Sequence, residues 1–239
     1  MKKLFILISA VFCINLFTSC SDSKSDTDYL FYITEQKTKG DFDSEIEEQH
    51  YSALKNELSN LNLTRTIDYE ENEIESAEDC NIYEDFEDCF NALKSNRKIK
   101  SSIMPYIEKI GNYATSSNTD YSSIKNYITK VENEAFGIIS KEDFDELLQY
   151  GESFKAALKI SEEYESDLDY NTRGLFKSIW HGINFAISVS VGALLGFGLG
   201  YLFTGSLIGA IPTAICFAVG SGIVSYKTGG IAIGYSKRS

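Results

Sequence analysis

Little in this 239-residue sequence interrupts a helix, since it has only two prolines, Pro105 and Pro212. Alternating Val/Ile/Thr runs of strand type are missing between residues 41 and 170, which leaves helix as the default. Histidine is nearly absent. His50 and His181 lie far apart in the chain, and no second Cys or His pair accompanies Cys80 and Cys89. Motif spacing therefore assembles neither a Ser-His-Asp set nor a zinc site, and there is no P-loop. The chain is expected not to be an enzyme and to need no cofactor. Acidic residues are missing from both ends. All 35 lie between Asp22 and Asp169, and 15 of the 22 basic residues in that stretch leave it at −20. Such a surface excludes a phosphate-binding footprint, hence nucleic acid, and reads as a solvated face. Charge of either sign is absent from Ile183 to Tyr226, which is 44 positions. That is about twice the length one helix needs to cross a bilayer.

The first nineteen residues have the layout of an export signal. Lys2 and Lys3 precede an apolar run from Leu4 to Phe17, which ends in Phe17-Thr18-Ser19-Cys20. This resembles the lipobox of bacterial lipoproteins, with Phe17 standing where Leu is usual. The resemblance implies cleavage before Cys20, an acyl chain of the palmitate type on it, and a place in the bacterial cell envelope, on the periplasmic side or the cell surface. Residues 20–40 then form the lipidated Cys and a polar tether, beginning Ser21-Asp22-Ser23-Lys24.

Residues 41–172 read as an acidic helical domain of four to six helices. Tyr51, Leu54, Leu58 and Leu61 step by three and four. So do Ile103, Ile107 and Ile110, and Ile124, Tyr127, Ile128 and Val131. Phe144, Leu147, Leu148, Phe154 and Leu158 share one face of a further helix, with Glu and Lys filling the other. Ser140 with Asp143, Ser122, and Pro105 after Ser101-Ser102 mark helix starts. The acidic runs 69–73 and 84–88 read as exposed connections. Cys80 and Cys89 are the two cysteines that export would carry into an oxidising compartment within a polar region, and they are expected to form a disulfide. In one continuous helix their Cα atoms would stand about 13 Å apart, beyond the reach of about 7 Å. The segment between them must therefore turn. Glu132 to Asp143 can be laid on an EF-hand loop, but Phe136 falls where an oxygen ligand is required, so no calcium site is expected.

Residues 173–228 read as a glycine-rich membrane hairpin, and 229–239 as a basic tail. Thr204-Gly205-Ser206 divides the uncharged stretch into Ile183–Phe203 and Leu207–Tyr226, with Trp180 and Tyr226 as membrane-interface residues. Ser188, Gly192, Gly196 and Gly200 recur every fourth residue, and Ala214, Ala218 and Gly222 make a second small stripe. Such stripes let two backbones approach closely. The pattern resembles the glycine zippers of membrane channels and class II bacteriocins. It implies packing between the two arms or self-association between chains. Gly174-Leu175-Phe176-Lys177-Ser178-Ile179-Trp180 resembles the start of lytic peptides and fits a juxtamembrane amphipathic turn equally well.

The chain is thus expected to be all-α, a lipid-anchored envelope protein with a structural or interaction role, whose hairpin makes a second hold on the bilayer. The alternative is an exported membrane-attacking toxin, similar in outline to pore-forming colicins. A two-span hairpin puts Arg173, Lys177, Lys227, Lys237 and Arg238 on one side. The positive-inside rule would make that side cytoplasmic, whereas an exported domain puts it outside. Either the export signal overrides a weak charge bias, or the hairpin enters a membrane later from outside, and the second course favours the toxin.

Overall fold

The computed structural model describes residues 42–64, 81–95, 99–116, 119–166 and 179–233. The fold is all-α, as the periodicity requires. Seven helices are described: α1 (Glu45–Thr64), α2 (Phe86–Ser95), α3 (Met104–Ala114), α4 (Tyr121–Ala135), α5 (Lys141–Ser166), α6 (Ile179–Thr204) and α7 (Leu207–Thr228). Residues 1–41, with the signal, Cys20 and the tether, lie outside the described residues, as does Cys80.

Local chemistry sets the helix ends. Asp120 is extended (φ −100°, ψ 164°), and its side chain accepts from the Ser123 N–H at 2.6 Å. The cap of α4 is therefore Asp120, two residues before the expected Ser122. Ser140 caps α5 as expected, its Oγ accepting from the Asp143 N–H at 3.2 Å. Pro105 sits in the first turn of α3, where its missing N–H leaves no bond unmade. The run 84–88 is not a plain connection. The Asp88 N–H donates to Asp85 Oδ1 at 2.9 Å, and α2 begins at Phe86, which is buried. The chain between Cys80 and Cys89 does turn, from strand into helix.

Two short strands are the element that periodicity did not reveal. β1 (Asn81–Tyr83) pairs antiparallel with β2 (Ile231–Ile233), in the register Asn81↔Ile233, Ile82↔Ala232, Tyr83↔Ile231. The expected basic tail therefore opens with a strand, and its three residues are buried. Gly229, at φ 78°, ends α7 in the left-handed conformation that makes this reversal possible.

One contiguous apolar core runs through α1 to α7 and β2. Its organisation differs from a helical domain followed by a separate hairpin. The expected boundary near 172/173 falls outside the described residues, and α6 packs extensively against α5 across it. α5 also departs from a simple amphipathic helix. Its polar face, with Asp145, Glu146, Gln149, Glu152 and Lys155, is buried rather than solvated. α1 and α4 cover it.

Candidate functional site

The uncharged stretch folds as two antiparallel helices, α6 and α7, that are long and apolar enough to cross a membrane by length and composition. The turn between them uses Gly205 at φ 65°, and Ser206 caps α7 by accepting from the Gly209 N–H at 3.2 Å. The small-residue stripes meet inside this hairpin. A Cβ on Gly196 would stand 2.5 Å from the Thr213 carbonyl oxygen, and one on Gly200 2.8 Å from the Ala210 Cα. A Cβ on Gly192 would strike the Phe217 carbonyl. Ala214 and Ala218 are fully buried on the facing helix. Gly222 also faces α6, at Val189 and Phe185 rather than at the glycines, and reaches Leu54 of α1. Ser188 has a different use from packing. Its Oγ accepts from the Ala232 N–H at 2.8 Å and so ties β2 to α6.

The hairpin is sheathed unevenly. From Ile183 to Phe197 every α6 residue but Asn184 is buried, an all-round apolar helix of the kind found only in a core or a bilayer. In contrast, α7 keeps a half-exposed outward face with Pro212, Ile215, Cys216 and Val219 in register. The tip is open: Leu202 is 73% exposed and Phe203 85%. At the base, the Asn184 amide donates to the Gly229 carbonyl at 3.0 Å and Ser225 Oγ to the Gly230 carbonyl at 2.6 Å. Trp180 is 47% exposed there, while Tyr226 packs partly buried against the core.

A buried ionic cluster holds the sheath together. Lys155 of α5 is buried, with its Nζ 2.7 Å from Glu152, 3.3 Å from Glu132 of α4 and 3.8 Å from Asp43 before α1. Ser44 donates to Glu152 at 2.7 Å, and His50 Nε2 lies 3.2 Å from Gln149 Oε1. One ammonium cannot balance this many carboxylates in low dielectric. Burial, against the pull of Lys155, raises Glu132 well above the usual carboxylate range; burial also raises Glu47. His50, fully buried, is pushed down to about 4 by desolvation and is neutral. Further along α5, burial pushes Asp145 and Glu146 up to about 7, despite Lys141 and Lys100 respectively. Glu132 and Asp143, the ends of the EF-hand overlay, are thus spent elsewhere: Glu132 on Lys155, Asp143 on Lys100 and Ser102.

Cys89 is buried on α2 as a free thiol, pushed up to about 12 by burial and then by Asp85. With Cys80 outside the described residues, its pairing is not seen. Sequence reasoning missed the whole ionic cluster, because abundant Glu and Lys on a helix read as solvent-facing. The one available signal was His50, a lone imidazole that an exposed polar helix had no need of. Neither a scan against protein-family models nor searches of curated proteins and of solved structures give a match.

Proposed function

We propose that this is an exported envelope protein, lipid-anchored at Cys20, that stores an apolar hairpin inside a bundle of charged helices and delivers it into a lipid bilayer. The observation that carries the reading is the unequal sheathing. α6 is uncharged and wrapped on all sides, yet it runs directly into a bare apolar tip at Leu202 and Phe203. A helix that serves only as a core has no reason to end in two exposed large apolar side chains on an uncharged turn. Storage also explains how so apolar a segment accompanies an acidic domain through export. Insertion from outside accounts for the basic residues that flank the hairpin on the non-cytoplasmic side. Trp180 and Tyr226 would then serve as interface residues, and the glycine-zipper seam would hold the arms together or, once released, join chains. Export would also expose Cys80 and Cys89 to oxidation, and a disulfide beside β1 would clamp the base. The partner is the bilayer, with self-association through the glycine face, and no catalytic step is involved.

A second reading has its own support. The base is clamped by β2, Asn184 and Ser225, as suits a hairpin that never leaves and simply forms the core of a standing interaction lipoprotein. Release of a trapped dye from vesicles separates the two. The stored-hairpin reading requires leakage that is lost when Leu202 and Phe203 are changed to Ser. A chain that binds vesicles through its acyl group without leakage supports the standing lipoprotein instead.

A further inference from the structure

The exposed large apolar side chains fall at two opposite ends of the bundle, and one end brings together two turns distant in sequence. α4 and α5 are antiparallel, since Lys125 pairs with Glu162 and Glu132 with Lys155. α5 and α6 are antiparallel as well. Ser161, near the end of α5, has its Oγ 3.5 Å from the Gly182 carbonyl near the start of α6, and from there α6 packs extensively along α5, which it can do only by running back beside it. Following α5 back and α6 forward from that point, about twenty residues or about 30 Å along each, brings Lys141 level with Leu202. The α4–α5 turn therefore sits at the same end as the hairpin tip. That turn carries Phe136, 64% exposed, and Ile138, 74% exposed, around Gly137 at φ 75°. Beyond the neighbouring residues, no atom lies within 4 Å of where a Gly137 or Gly205 Cβ would stand, so both turn glycines face open space.

We propose that Phe136–Ile138 and Leu202–Phe203 form one end-on docking surface for a lipid bilayer, a contact made before the hairpin leaves its sheath. The proposal rests on the stored-hairpin reading. Four side chains projecting from two convex turns suit a deformable apolar slab better than a complementary protein groove. The tip belongs to the uncharged stretch that ends only at Tyr226, so the contact is continuous with the segment to be delivered. Among the described residues at this end, Glu134 is paired by Lys109 and Lys130 and Asp143 by Lys100, and exposed Lys141 is followed directly by exposed Glu142. The signs are mixed rather than gathered into a cationic patch, so the attraction is mainly apolar and depends little on headgroup charge.

The test uses the full-length protein as isolated, with its acyl chain, in phosphatidylcholine vesicles. A polarity-sensitive fluorophore is placed at Ile138→Cys, Phe203→Cys or Ile82→Cys in a Cys80→Ser, Cys216→Ser background, Cys89 being buried. Lipids with spin labels on their acyl chains then quench whatever enters the hydrocarbon. The expected result is several-fold stronger quenching at positions 138 and 203 than at 82, which lies at the opposite end. Adding Phe136→Ser should weaken quenching at 138 and lower the thermal midpoint only slightly, because the ring is largely exposed and gives up only its edge contact with Phe144. Quenching at 203 with none at 138 would overturn the two-turn surface and leave the stored-hairpin reading standing. Quenching at neither position, with no dye leakage, would remove both.

Discussion

Gly196 and Thr213 face each other across the hairpin so closely that a single added methyl would stand 2.5 Å from the threonine carbonyl oxygen. Backbone cannot give way there as a flexible side chain would. Gly196→Ala should therefore destabilise the fold by about 1–3 kcal/mol, as overpacking does, and Gly196→Leu by more. Gly220, on the same hairpin, has nothing within 4 Å of its Cβ position. Gly220→Ala should be neutral or gain up to about 1 kcal/mol from helix propensity. Urea denaturation of the two alanine variants measures the difference, and equal midpoints would mean the stripe is only composition.

The ionic cluster makes a second prediction. Lys155→Met leaves Glu132 and Glu152 buried without their cation and should cost about 3–5 kcal/mol, the usual penalty for breaking a buried pair. Adding Glu132→Gln and Glu152→Gln removes the orphaned charge and should recover much of that loss. Without recovery in the triple variant, the cluster would be acting through packing alone.

These two sites differ in how legible they were. The glycine stripe could be read directly, because spacing by four has one geometric meaning on a helix. α1, α3, α4 and α5 followed from periodicity, and α6 and α7 with the turn at Gly205 from the long uncharged run and its break, whereas α2 was missed because its acidic start looked like an exposed connection. The cluster could not be read, since Glu132, Glu152 and Lys155 look like solvent faces until α1, α4 and α5 pack together. The β1–β2 ribbon was hidden for a related reason. Three residues such as Ile231-Ala232-Ile233 carry no period, and their partner lies about 150 residues away.

Stability should fall as pH rises through neutrality. Asp145 and Glu146 have folded-state values near 7, above those of an unfolded chain, and Glu132 is raised in the same sense. Protonation thus favours the folded form. Their contribution is complete below about pH 4 and is lost as pH climbs through 7. His50 works in the opposite direction, losing its contribution as pH drops from about 6.5 toward 4. The urea midpoint should accordingly be higher near pH 6 than near pH 9, and Asp145→Asn with Glu146→Gln should flatten that slope. An unchanged slope in the double variant would place the pH dependence elsewhere.

The address can be checked at two cysteines. Metabolic labelling with a palmitate analogue should mark the wild type and spare Cys20→Ala. In protein taken from the envelope, an unreduced digest should contain the peptide pair linked through Cys80 and Cys89. After reduction, Cys89 should resist thiol reagents until the fold is opened, because it is wholly buried. Rapid labelling of Cys89 in the reduced native protein would contradict its position in the core.

Departure of the hairpin from its sheath can be followed directly, because the chain carries its own reporter. Trp180 is the sole tryptophan, and it sits at the base of α6, about 35 Å from the tip along the helix. Its emission should be recorded on vesicles whose lipids carry bromine at shallow or deep acyl positions, alongside dye release. If the hairpin inserts, leakage should coincide with a blue shift of Trp180 and quenching by the shallow bromines, since insertion to full depth brings the base to the interface. Leakage with Trp180 still emitting as it does in solution would show that the hairpin had stayed in the bundle.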